Sequence, residues 1–171
     1  MFLVSSGGTA FDFDLGFLRD LVQLLDRQLD QLEQEAAALP DPDGFGVLES
    51  ADYLVGLGLV ACQGYLAATY GFLHIDKQKA LKRGPMHRSG YTIAELVNHG
   101  ANFWKHRDEW SVDPNKAAQE RTLAALATLG CGAQDYPLTN LLAALVLPTH
   151  DRLQALLSHL EAWRDALAGA A

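Results

Sequence analysis

At 171 residues with 49% hydrophobic side chains, the chain has the length of one domain and enough apolar mass for a core without staples. Its formal net charge of −8 argues against a uniformly basic nucleic-acid surface. The two cysteines, Cys62 and Cys131, lack the spacing of a disulfide framework or a zinc site, so a single domain over residues 1–171 with two buried thiols is expected.

From Met1 to Phe11 there is no basic side chain and only a brief apolar run before Asp12 and Asp14. That is not the charge order of a signal peptide, and a cytoplasmic protein is expected. Over residues 12–39, Leu18, Val22, Leu25, Leu29, Leu32, Ala36 and Leu39 recur at steps of four and three, which predicts a long amphipathic helix. Its outer face is assigned Arg19, Asp20, Asp26, Arg27, Asp30, Glu33 and Glu35, and Pro40 to Gly44 end it, because proline cannot extend the hydrogen-bond ladder.

A second helix is predicted at about 47–75. Residues 53–75 hold no charged side chain, long enough to raise the question of a bilayer span. Four glycines, three tyrosines, Gln63, Thr69 and His74 in that run favour a central helix buried on all sides, and no membrane association is expected. The stripe Ala61, Gly64, Ala68 and Gly71 predicts close approach of a neighbouring helix there, which would offset the cost of interior glycines.

Residues 77–107 reverse the overall charge, with Lys77, Lys79, Lys82, Arg83, Arg88, Lys105 and Arg107 set against Glu95 alone. A basic island of this kind attracts phosphate, and the acidic remainder is suited to a basic partner. Within it, Thr92 and Glu95 have capping-box spacing and start a third helix at about 92–109. Asp113-Pro114 reads as a cap and first-turn proline for a fourth helix that stops at Gly130-Cys131-Gly132. The last segment, about 138–168, is interrupted by Pro148, as a kink or a break, with Thr149 able to cap the second piece and Leu153, Leu156, Leu160, Trp163 and Leu167 as its stripe. No strand-type alternation longer than a few residues and no internal repeat is present. The expected fold is all-α, an up-and-down bundle of five or six antiparallel helices in which the first and last shield the glycine-bearing one.

The third helix carries the candidate chemistry. Glu95, His99, Asn102, His106 and Glu109 share an arc of roughly 80° at about 100° per residue, opposite Ile93, Leu96, Val97, Phe103 and Trp104. Such a stripe serves equally as a solvated face. Imidazoles beside carboxylates, directly after a basic loop, suit proton transfer near neutral pH. Pairs at a spacing of four, Glu95 with His99 or Asn102 with His106, offer two metal ligands each. No His-x-x-x-His or Glu-x-x-His pair completes a zinc or di-iron set, so no metal and no cofactor is expected. Cys62 and Cys131 have no base nearby in sequence, and His74, His87, His150 and His159 are given no role. Trp110, at the helix end, offers a stacking surface, whereas Trp104 belongs to the apolar arc.

Asn102-Phe-Trp-Lys-His106, near the end of a helix in a small helical bundle, resembles the Asn-x-x-x-His portion of HEPN domains. The resemblance implies a metal-independent ribonuclease site, within a toxin or defence system, in a cleft between two protomers, and therefore a homodimer. It places Asn102 and His106 at that site, with His106 as general acid/base. An arginine usually precedes the asparagine in that family. Here Ala101 stands in its place, leaving Arg88 or Arg107 to supply a guanidinium.

Three functions follow as expectations. The first is RNA or nucleotide-phosphate engagement, catalytic or not, through Glu95, His99, Asn102 and His106 with Lys79, Lys82, Arg83, Arg88, Lys105 and Arg107. The second is a non-enzymatic module whose acidic helices dock a cognate basic protein. A bundle-core metal-binding protein is the third.

Overall fold

The computed structural model describes residues 2–4, 10–110, 116–131, 136–146 and 152–169, with side chains from residue 12 onward. Among these, the chain is an all-α bundle of seven helices preceded by one small hairpin pairing. Strands β1 (Phe2–Val4) and β2 (Ala10–Asp12) pair antiparallel, Phe2 opposite Asp12. Three-residue strands are too short to leave a sequence alternation, and the sequence gives no sign of them.

Helix α1 spans Phe13–Ala38 and α2 spans Val47–Phe72. Asp12 caps α1 by accepting from Leu15 N at 2.9 Å, and also accepts from Tyr65 Oη and from Arg164, tying the chain's start to α2 and to the last helix. Burial pushes the Asp12 carboxyl up, but the hydrogen bonds from Tyr65, Leu15 and Arg164 outweigh it and hold the group below the usual carboxylate range.

The basic stretch folds into a short helix, α3 (Lys77–Leu81), capped by Asp76. The predicted capping box opens α4 (Ile93–His106): Thr92 accepts from Glu95 N, and the Glu95 carboxylate accepts from Thr92 N. Helix α5 is Lys116–Ala127, and the chain leaves it through Gly130 at a φ of +74°, the left-handed geometry that favours glycine. The expected cap at Asp113-Pro114 lies outside the described residues, as do Gly132, Pro148 and Thr149.

The final segment is two helices rather than one kinked one, α6 (Pro137–Val146) and α7 (Ala155–Ala168). Each start is satisfied from a distance. Asp52 of α2 accepts from Leu138 N and Thr139 N of α6, both at 2.8 Å, just after a first-turn proline whose missing N–H would be an orphan anyway. Asp26 of α1 accepts from Leu153 N and Gln154 N at the entry to α7. The spacing places Asp26 on the solvent face, but the residue is buried. Its position explains this, because 22, 26 and 29 are one stripe at steps of four and three. Replacing Asp26 with alanine leaves the buried Leu153 N–H without its acceptor and hands that of the exposed Gln154 to solvent; it is expected to cost about 1–3 kcal/mol, read as a lower urea midpoint with unchanged slope. Asp26→Asn, which retains an acceptor oxygen, should cost less.

Helix α2 is central, packed on α1, α4 and α6, with Val55, Leu59, Cys62 and Leu66 buried along it. By length and composition it is apolar enough to cross a membrane; here it serves as the core helix of the bundle. The close approaches, however, are not on the predicted stripe. A Cβ at Gly64 or Gly71 would meet nothing, whereas one at Gly56 would lie 1.8 Å from Trp104 Cδ1 and one at Gly58 would lie 2.4 Å from Leu153 Cδ1. Ala61, Gly64 and Ala68 instead floor a shallow groove beside Phe17 and Leu21 of α1. The close packing falls instead at Gly56 and Gly58, where large side chains, Trp104 and Leu153, fill the space that a Cβ would take.

Candidate functional site

Helix α4 is held by its capping box at one end, and Thr92 Oγ1 also donates to Leu81 O, which fixes α4 against the end of α3. The core face of α4 buries Ile93, Leu96, Val97 and Ala101. The opposite face opens onto a cleft of about 480 Å³ between α3, α4 and α5. Glu95, His99, Asn102 and His106, the four α4 residues singled out by spacing, all line it. Facing them are Lys77 of α3 and Arg121 and Thr122 of α5, while Tyr91 and Trp110 supply aromatic walls.

Among the described residues, no carboxylate forms an ion pair with Lys77 or Arg121. Among the described residues that line the cleft, the carboxylate is that of Glu95, which accepts from Thr92 N. The basic residues expected to bind phosphate divide differently. Lys79 and Lys82 are exposed on and after α3, and Arg83 is half-buried after it. Arg88 opens onto a separate cleft with Met86, His87 and His159. Lys105 Nζ donates to Gln63 Oε1 at 2.6 Å, and Arg107 lies 3.8 Å from Asp52 and 3.7 Å from Asp108. Neither Arg88 nor Arg107 therefore supplies the guanidinium of this cleft. Arg121 does. Ala101, in the place of the resemblance's arginine, is fully buried and faces the core.

The two imidazoles differ in setting. His106 Nδ1 meets Glu109 Oε2 at 3.0 Å, so the carboxylate favours the tautomer with the proton on Nδ1 and leaves Nε2 for a ligand. His99 contacts Thr122 Oγ1 at 3.4 Å and sits edge-on to Tyr91. Burial pulls the His99 pKa below its ordinary value; Glu95 pulls it back up, and Arg121 and Lys77 push it further down. The consequence for stability has a definite sign. Between the two pKa values the unfolded chain binds a proton that the folded chain does not. His99 therefore contributes full stability above the unfolded value near 6.5, lost as pH falls through it. The urea midpoint should drop from pH 7.5 to pH 5.5, and His99→Gln should reduce that drop. His159, lowered by burial in the same direction, accounts for part of what remains.

Sequence spacing missed two contributors. Arg121 stands on a helix with little amphipathic signal. Gln63 stands in the sequence as a polar exception within an apolar run, yet its Nε2 donates to the Oδ1 atoms of Asn98 and Asn102, each at 2.9 Å. Trp110 lines the cleft with its ring edge-on to Phe103, whereas Trp104 packs over Gly56 beside Tyr53. Cys62 is fully buried, with burial pushing its thiol up to about 12, and burial raises Cys131 as well, so neither is a ready nucleophile at neutral pH. Among the described residues, no three His, Cys, Asp or Glu side chains gather closely enough to hold a metal ion.

Comparison of the chain with protein-family models, curated proteins and solved structures gives no significant match.

Proposed function

We propose that the α3–α4–α5 cleft engages the phosphate of RNA or a nucleotide, with Asn102 and His106 in the roles that the HEPN resemblance implies and His106 as the proton-transfer group. The observation that carries this reading is the meeting of His99, Asn102 and His106 with Lys77 and Arg121, two cations without ion-paired carboxylates among the described residues, in one cleft. Phosphate contacts by such cations supply affinity, and an aromatic wall such as Trp110 accepts a base by stacking. Lys79 and Lys82 extend the positive charge along the same segment as Lys77.

His106 with Glu109 has the arrangement of an acid/base group held by an orienting carboxylate. In the corresponding ribonuclease step, the ribose 2′-oxygen loses its proton and bonds to phosphorus, and the 5′-oxygen bond to phosphorus breaks as that oxygen gains a proton. His106 serves one of these transfers. Incubating single-stranded RNA with the protein in chelator and resolving the products tests this. Cleavage that disappears in His106→Ala while binding persists supports catalysis, whereas binding without cleavage by the unaltered protein leaves a binding function alone. No binding at low salt overturns the reading altogether. An anion beside Arg121 and Lys77 also offsets the charges that depress His99, so binding should take up protons and strengthen as pH falls toward 6.

A further inference from the structure

The residue that decides what Asn102 offers to the cleft sits outside it, on the central helix. Lys105 Nζ donates to Gln63 Oε1 at 2.6 Å. An ammonium group donates only, so the atom it meets must be the amide oxygen, and the nitrogen of Gln63 must face the other way. That nitrogen lies 2.9 Å from one side-chain atom of Asn98 and 2.9 Å from one of Asn102. A donor requires acceptors, so both must be Oδ1. The orientation of three amides is thus fixed by one cation, a determination that distance alone cannot give for a symmetric-looking amide. With its oxygen turned inward, Asn102 has its two Nδ2 hydrogens left to present to a ligand.

We infer that Gln63 is a positioning residue that sets the hydrogen-bond polarity of the cleft, making Asn102 a donor and so selecting a ligand rich in acceptor oxygens, such as a phosphate ester. This deepens the reading of the cleft as a phosphate site and rests on it. Without Gln63, the Asn102 amide turns freely and presents its oxygen to the anion part of the time. The relay also explains a cost in the core helix: a polar side chain in the run 53–75 gains nothing from burial unless its hydrogen bonds are made, and here both ends are satisfied.

Two measurements on the full chain separate this inference from the reading beneath it. The first needs no ligand. Side-chain amide exchange by NMR should show the Gln63 Nε2 hydrogens protected and those of Asn102 exchanging fast, and in Gln63→Glu, which only accepts while ionised, the Asn102 hydrogens should become protected. Protected Asn102 hydrogens in the unaltered protein would overturn the assignment.

The second is affinity for a short oligouridylate. Gln63→Met and Asn102→Ala should each lose about tenfold, the scale of one hydrogen bond to a charged group, and the double variant should lose little more than either single one. Losses that multiply, or no loss in Gln63→Met with its melting temperature retained, would overturn the coupling. If the unaltered protein ignores the oligonucleotide while the exchange pattern is as stated, the phosphate reading fails, the selection of phosphate ligands fails with it, and only the amide geometry stands.

Discussion

Trp163→Ala is expected to destabilise the protein by about 3–5 kcal/mol, the range for truncating a fully buried aromatic residue. Trp163 is 1% exposed on α7. Its indole reaches past its own helix: Nε1 donates to Ala80 O at 2.9 Å, and its ring sits edge-on to Tyr65. Gly84 fits beside it at a φ of +83°, where a Cβ would lie 2.9 Å from Trp163 Cα. The ring is therefore the anchor between α7, the end of α3 and the turn that follows. Against a typical domain stability of about 5–15 kcal/mol, such a loss is a large share of the whole. Trp163→Phe keeps most of the buried area and removes one of the hydrogen bonds to the Ala80 carbonyl, which still accepts from Arg83 N at 3.1 Å, so about 1 kcal/mol is expected. Urea unfolding checks both, and a cost below about 1 kcal/mol for the alanine variant would mean that the ring does not pack as described.

Arg121→Glu is expected to weaken binding of single-stranded RNA by at least about tenfold at low salt and to reduce the dependence of affinity on salt, because one phosphate contact becomes a repulsion. The comparison that gives the number meaning is Arg88→Glu. Both substitutions alter the net charge equally, so a long-range field would respond to them alike. Only the first lies in the cleft with Lys77, His99 and His106, while Arg88 opens onto another surface with His87 and His159. Fluorescence anisotropy across a salt series measures both slopes. Equal losses would assign binding to overall charge, and a larger loss at Arg88 would move the site to the 82–90 turn.

The long helices were legible in the sequence because their stripes are long, and α4 was placed at its start because its capping box is written in two residues, Thr92 and Glu95. The clustering of Glu95, His99, Asn102 and His106 on one cleft followed from spacing along a single helix. What periodicity does not encode is the neighbour. Arg121 reaches the cleft only because α5 packs across α4, and the choice between Arg88, Arg107 and Arg121 depends on tertiary placement. The same limit explains the glycines: Gly64 and Gly56 are equally small, and only the position of Trp104 tells them apart. A carboxylate at the edge of an apolar stripe reads as solvent-facing, which is how the spacing places Asp26, and nothing in the sequence around Asp52 marks it as a cap. Each is a distant helix cap.

An anionic ligand is proposed to seat in the α3–α4–α5 cleft. Imidazole NMR during titration with single-stranded RNA tests it most directly, since the histidines report from different surfaces. The His99 and His106 ring signals should shift together and saturate at one stoichiometry while those of His87 and His159 stay in place. Shifts at His87 and His159 with His99 and His106 unmoved would contradict the account.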